Sequence, residues 1–125
     1  MARILIVDDE FALAELLGEL LELRGHSAVI AINGVSALGL LNSSEFDLVI
    51  SDIMMPVMTG PEMIASMRET PRLATIPVIL TSAEPKLLVQ TAAQGVAQAT
   101  INKPFGPAVL YAHIDRLLPR RESNG

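Results

Sequence analysis

The sequence predicts an α/β domain: a doubly wound, five-stranded parallel sheet with helices on both faces. Short apolar blocks rich in β-branched residues alternate five times with segments of helical apolar spacing. The blocks are continuous rather than alternating, as strands covered on both faces must be. The chain's 125 residues, half of them apolar and 18% charged, are enough to remove about two-thirds of the unfolded surface from water without a staple.

Arg3-Ile4-Leu5-Ile6-Val7 reads as the first strand, stopped by Asp8 and Asp9. Leu13, Leu16, Leu17, Leu20 and Leu23 then recur at helical spacing, with Glu15, Glu19 and Glu22 opposite and Gly25 as a C-cap. Ser27 to Ile32 forms the second strand. Asn33-Gly34 turns the chain into a short helix carrying Val35, Leu38 and Leu41, closed by Asn42-Ser43-Ser44. Asp47 to Ser51 is the third strand, ending at Asp52, and a loop through Pro56 and Gly60 follows. Pro61 suits the first turn of the next helix, ahead of Met63, Ile64 and Met67. Ile76 to Leu80 is the fourth strand, ending at Thr81, and Pro85 to Gln94 is a helix with Gly95 at its end. Ala99 to Asn102 is a short fifth strand, and Pro107 to Leu118 the last helix, with Leu110, Ile114 and Leu117 inward. Right-handed crossovers leave few connections open, and the flavodoxin-like strand order 2-1-3-4-5 is the expected one. The domain is expected to span residues 1–118, with 119–125 as a polar tail.

Composition excludes several function classes. The absence of cysteine removes disulfide scaffolds, thiolate metal sites and thiol catalysis. Fourteen acids against nine bases give a net charge of −5, which argues against direct binding of nucleic acid. The apolar run at Ile4–Val7 is too short for a signal peptide. The longest uncharged stretch, Gly25 to Ser44, holds His26, Ser27, Asn33, Gly34 and Ser36 and does not read as a membrane span. A cytoplasmic domain is expected.

The chemistry lies where polar residues stop the strands: Asp8 and Asp9, Asp52, Thr81 and Lys103. In an open parallel sheet these carboxyl ends converge at the topological switch point, where ligands bind. Three crowded carboxylates repel one another, and a hard divalent cation, Mg²⁺ or Mn²⁺, relieves the repulsion through oxygen ligands. With the Lys103 ammonium added the site is neutral and can accept a phosphoryl group. Asp52, near the middle of the sheet, is the best nucleophile, and Thr81 can donate its hydroxyl to a phosphoryl oxygen. Taken singly, each residue has a plainer reading: an N-cap for Asp8-Asp9, a strand terminus for Thr81, a solvated loop lysine for Lys103. Four strand ends supplying complementary groups favour the site. Neither a glycine-rich phosphate loop nor a Walker lysine follows the first strand, and His26 and His113 lie away from strand ends, so nucleotide and zinc sites are disfavoured. Met54, Met55, Met58, Met63 and Met67 read as packing residues.

Asp8-Asp9 after the first strand, Asp52-Ile53-Met54-Met55-Pro56-Val57-Met58-Thr59-Gly60, Thr81-Ser82-Ala83 and Lys103-Pro104-Phe105 together resemble the receiver domain of two-component response regulators. The resemblance runs from Ala2 to about Leu118. It implies that Asp52 is the phosphoacceptor, charged by a phosphohistidine on a sensor histidine kinase or histidine phosphotransfer protein. It further implies that Asp9, Asp52 and the backbone carbonyl of Met54 ligate Mg²⁺, and that Asp8 holds a metal-bound water. Lys103 would pair with the phosphoryl oxygens, its bond to Pro104 would be cis, and Thr81 would act as the switch residue.

The chain departs from the family pattern at Thr100, three residues before the lysine, where an aromatic residue is usual. Switching by aromatic rotation is therefore not expected. Met54 and Ala83 stand where receivers control the access of water, and neither can orient an attacking water, so slow self-dephosphorylation is expected. From Leu87 to Asn102 no residue is charged, which favours a protein contact on the surface of the fourth helix, fifth strand and fifth helix, including a phosphorylation-dependent dimer. An Ala-rich helix simply packed on the sheet explains the same stretch equally well. Two other functions compete. A pseudo-receiver would bind partners without phosphorylation, which Thr100 permits and the intact acids and lysine oppose. A phosphatase with an aspartyl-phosphate intermediate would need a second acid at Met54. The expected function is a phosphoacceptor switch acting on a downstream protein or output domain, not a turnover enzyme.

Overall fold

A computed structural model describes residues 1–118; the expected polar tail, 119–125, lies outside the described residues. The elements run β1 (Arg3–Val7), α1 (Phe11–Leu23), β2 (Ser27–Ala31), α2 (Gly34–Ser43), β3 (Leu48–Asp52), α3 (Gly60–Arg68), β4 (Val78–Ser82), α4 (Pro85–Gln94), β5 (Ala99–Asn102) and α5 (Pro107–Leu117). All strand pairings are parallel and the sheet order is β2-β1-β3-β4-β5. This is the flavodoxin-like order expected from the sequence.

Strand alternation divides the core in two. Leu5, Val7, Val49, Val78 and Leu80 face one side, with Met63, Met67 and Leu88 of the helices α3 and α4. Ile4, Ile6, Leu48, Ile50 and Ile79 face the other, with Leu17 and Leu21 of α1 and Leu110 and Ile114 of α5. The runs Ile4–Val7, Leu48–Ile50 and Val78–Leu80 are thus buried on both faces, which is why they carry no polar alternation.

Termini follow local chemistry. Gly25 and Gly95 take φ of +86° and +67° beyond the ends of α1 and α4, where a side chain would be strained. The Asn33 side chain accepts from the Ser36 N–H at 2.8 Å. At α3, Thr59 and Glu62 form a reciprocal capping box.

β2, β3 and α5 each lie one residue inside an expected bound, ending at Ala31, starting at Leu48 and ending at Leu117, and two larger differences have a physical cause. β4 begins at Val78 rather than Ile76 and ends at Ser82. Pro77 has no N–H for the ladder, and the Arg68 guanidinium draws the carbonyls of Ala74 and Ile76 aside at 2.9 and 3.4 Å. On α1 the buried stripe is Ala14, Leu17, Gly18 and Leu21, whereas Leu16 is 53% and Leu23 79% exposed. Leucine fills six of thirteen positions there, so two stripes fit the spacing and the small residues mark the one against the sheet. Tyr111 then ties α5 to α1: its hydroxyl donates to the Leu20 carbonyl at 2.7 Å, and Arg24 stacks on its ring while pairing with Asp115. This latch fixes α5, and with it the loop that carries Lys103.

Candidate functional site

The parallel register brings the strand ends level: Asp52 pairs with Thr81, Val7 with Ser51, and Ser82 with Asn102. Asp8 and Asp9 leave β1 beside Asp52, and the three acids each offer an oxygen within 4.8 Å of the others. Lys103 crosses this cluster. Its ammonium donates to Asp8 Oδ2 at 3.1 Å and to Asp52 Oδ2 at 3.3 Å, and its backbone N–H donates to the Ser82 carbonyl. The Lys103–Pro104 peptide is cis. Asp8 is buried and also accepts from the Glu10 N–H at 2.9 Å, whereas Asp9 is exposed. Thr81 is buried beside Asp52 in the ladder, and its hydroxyl makes no hydrogen bond among the described residues.

The electrostatics are those of a site short of positive charge. Burial, reinforced by the Asp8 carboxylate, raises the Asp52 pKa above its ordinary value of 3.8, although Lys103 opposes the shift. Burial works against the Lys103 charge too, but the hydrogen bond to Asp8 and the two carboxylates outweigh it, and the lysine pKa is raised. One ammonium shared between two acids leaves Asp52 incompletely compensated, with Asp9 adding a further negative charge outside the pair. An all-oxygen, triply acidic cluster fits a hard divalent cation, so the donor set passes the chemical test for Mg²⁺ or Mn²⁺.

The loop from Ile53 to Thr59 forms one wall. Ile53 N–H donates to the Thr81 carbonyl and Gly60 N–H to the Ile53 carbonyl, at 2.9 and 2.8 Å. A Cβ at Gly60 would lie 2.7 Å from the Asp52 carbonyl oxygen, so only glycine lets α3 start this close to the nucleophile candidate. Met58 packs against Gly34 at the start of α2, where a Cβ would meet its sulfur at 2.9 Å. Between them Val57 takes φ +75°, and the Met58 N–H donates to the Pro56 carbonyl at 2.8 Å, closing a γ-turn that strains a β-branched residue. Met54 is 56% exposed. That corrects the packing role expected of it; Met55, Met63 and Met67 are buried as packing residues should be.

Two features of the site went unread in the sequence. Glu10, the third of three consecutive acids, brings Oε1 to 4.0 Å from the Lys103 ammonium; the acidic run itself was the signal. The strained Val57 turn has no sequence signal, because valine is the residue least expected there. Thr100 pairs with Leu80 on the edge strand β5 and shares its face of the sheet, away from the acids. His26 is a boundary residue accepting from the Ala2 N–H at 3.1 Å, and His113 contacts Arg116.

Residues 4–115 match the family described as response regulator receiver domain. The chemotaxis protein CheY of Pseudomonas aeruginosa is 34% identical over 120 residues, covering 94% of this chain and 97% of that protein. Among solved structures, Vibrio cholerae CheY4 superposes with a TM-score of 0.86 at 30% identity, covering 94% of this chain and 99% of that one. The response regulator TrrA of Thermotoga maritima, in complex with Mg(2+)-BeF, superposes at 0.84 with 34% identity, covering 94% and 100%. The chain spans about half the length of the other curated relatives it matches, which are described as transcriptional regulators. No described helix is long and apolar enough to cross a membrane. With family match, strand order and site in agreement, this chain belongs to the response regulator receiver domains of two-component systems.

Proposed function

We propose that residues 1–118 act as a phosphorylatable switch with Asp52 as phosphoacceptor. A phosphohistidine of a sensor histidine kinase or histidine phosphotransfer protein is the donor. An Asp52 carboxylate oxygen bonds to phosphorus as the phosphorus–nitrogen bond breaks and the imidazole leaves. The observation that carries this reading is the Lys103 ammonium held 3.3 Å from Asp52 and 3.1 Å from Asp8 with the Asp9 carboxylate alongside. Asp9, Asp52 and the Met54 carbonyl would hold Mg²⁺ or Mn²⁺, with Asp8 acting through water. When bound, the ion supplies positive charge against the phosphoryl oxygens. Lys103 moves from the carboxylates to a phosphoryl oxygen, and Thr81, whose hydroxyl has no competing partner among the described residues, donates to another.

The readout is the surface of α4, β5 and α5, where residues 87–102 carry no charge. Phosphorylation controls binding there to a downstream protein, an output domain or a second phosphorylated copy. A cytoplasmic location suits this chemistry, and the net charge of −5 disfavours direct contact with nucleic acid. The protein consumes and loses its own phosphoryl group and turns over no other substrate. Thr100 favours a second reading, a pseudo-receiver that binds partners without phosphorylation. Acetyl phosphate with Mg²⁺ separates the two. The wild type should gain the mass of one phosphoryl group and Asp52→Asn none; an unmodified wild type supports the pseudo-receiver.

A further inference from the structure

Beside the acid cluster, α1 and the loop after β5 enclose an apolar cleft of about 240 Å³, walled by Leu13, Leu16 and Leu20 on one side and Pro104 and Phe105 on the other. The core takes Ala14, Leu17, Gly18 and Leu21 from α1; Leu17 also lines the floor of the cleft and Leu20 packs partly on the core, whereas Leu16 belongs to no core cluster. Leu16 remains 53% exposed. Lys103 lines the cleft and also places its ammonium 3.3 Å from Asp52. Lys103 thus borders both the cleft and the phosphoacceptor site, and its cation complements an anionic head joined to a short apolar body.

We propose that this cleft binds the acyl chain of small acyl phosphate donors, so that the domain prefers a donor with a short apolar chain to acetyl phosphate. The inference rests on Asp52 being the phosphoacceptor. The Asp52 carboxylate oxygen bonds to phosphorus, the bond from phosphorus to the acyl oxygen breaks, and its electron pair departs with the acid as a carboxylate. No redox partner is needed, and the divalent cation is the one that Asp9 and Asp52 would hold. The apolar chain of the leaving acid stays against Leu16 and Phe105 as transfer proceeds.

The test follows uptake by intact mass with Mg²⁺ and equal, subsaturating acetyl, butyryl or hexanoyl phosphate. Straight-chain acids are similar leaving groups, so differences report binding. Uptake is expected to rise from acetyl to hexanoyl phosphate by about two- to fourfold per methylene, fourfold being the limit for complete burial. In Leu16→Gln, which alters an exposed helix position, the hexanoyl-to-acetyl ratio should collapse toward one. A flat or falling series, with acetyl phosphate still active, overturns the inference and leaves Asp52 in its role. No uptake from any donor overturns both. A slope that persists in Leu16→Gln removes the assignment to this cleft. A flat series combined with slower transfer from a phosphohistidine protein in Leu16→Gln gives the cleft to a protein donor instead.

Discussion

Charge along the carboxyl edge of the sheet is distributed unequally. Between β1, β3 and the loop after β5, three carboxylates offer oxygens within 4.8 Å of one another, and one ammonium pairs with two of them. Across α4 and β5, from Leu87 to Asn102, charge is absent, Thr100 stands on the edge strand and Val89 is exposed on α4. The first region is held by ion pairing that spans sequence separations of 95 and 51 residues, so Lys103 couples loops that nothing local would join. The second is held without ion pairs among the described residues, by the β4–β5 ladder, by Gln98 bonded to Val78, and by the packing of Leu88, Thr91 and Ile101. In the proposed switch, chemistry falls at the charged end and readout at the neutral one, with β4 adjoining both: Thr81 pairs with Asp52 on one side and Ile101 on the other.

The largest effect that would break this contrast is at Lys103. Lys103→Met should lower the rate of phosphoryl uptake by about 10²- to 10³-fold, the cost of losing one preorganised charge. Mg²⁺ affinity should rise, because a competing cation has gone; initial rates and a Mg²⁺ titration read the two. Loss of metal affinity would mean that the lysine organises the acids rather than competing for them. The next effect is on persistence. With exposed Met54 and Ala83 beside the site, the acyl phosphate should last well beyond seconds, followed as decay of the phosphorylated mass; decay within seconds would mean that another residue orients water.

Stability sharpens the comparison further. A carboxyl whose folded pKa is raised binds its proton more tightly folded than unfolded, so ionised Asp52 costs stability at neutral pH. That cost grows as pH rises through the window above 3.8 and fades as pH falls below it. Metal-free Asp52→Asn should therefore melt higher than the wild type at pH 7, the gap closing in acid and on adding Mg²⁺ to the wild type; thermal melts across pH check it. On the rim, Val57→Gly should stabilise by about 1 kcal/mol, relief of the φ +75° strain exceeding the entropy cost of glycine. The smallest effect is expected on the neutral side. Thr100→Val, at a position whose hydroxyl makes no hydrogen bond among the described residues, should shift stability by less than about 0.5 kcal/mol and leave uptake within about twofold.

The architecture was legible because a doubly covered sheet requires unbroken apolar strands, and Ile4–Val7 and Leu48–Ile50 carry that requirement visibly. The strand-end acids and Lys103 were legible for the converse reason, since a charge that stops such a strand lies on the ligand-binding edge. Less was readable where residue types are degenerate. The six leucines of α1 fit two stripes, and periodicity alone could not tell the core stripe from the cleft-lining one. The start of β4 depended on Arg68 reaching carbonyls six and eight residues away, a tertiary contact without a local pattern. Val57 illustrates the limit: its backbone angle is imposed by Met58 seated on Gly34 and by Gly60 against Asp52, long-range constraints that no turn propensity encodes.

The most direct test is to find which oxygen receives the phosphoryl group. Protein treated with acetyl phosphate and Mg²⁺ can be reduced with borohydride, which converts an aspartyl phosphate to homoserine, and then mapped by peptide mass spectrometry. Homoserine at position 52 alone is the predicted result. Homoserine at position 8 or 9 would contradict the account, as would wild-type protein carrying none.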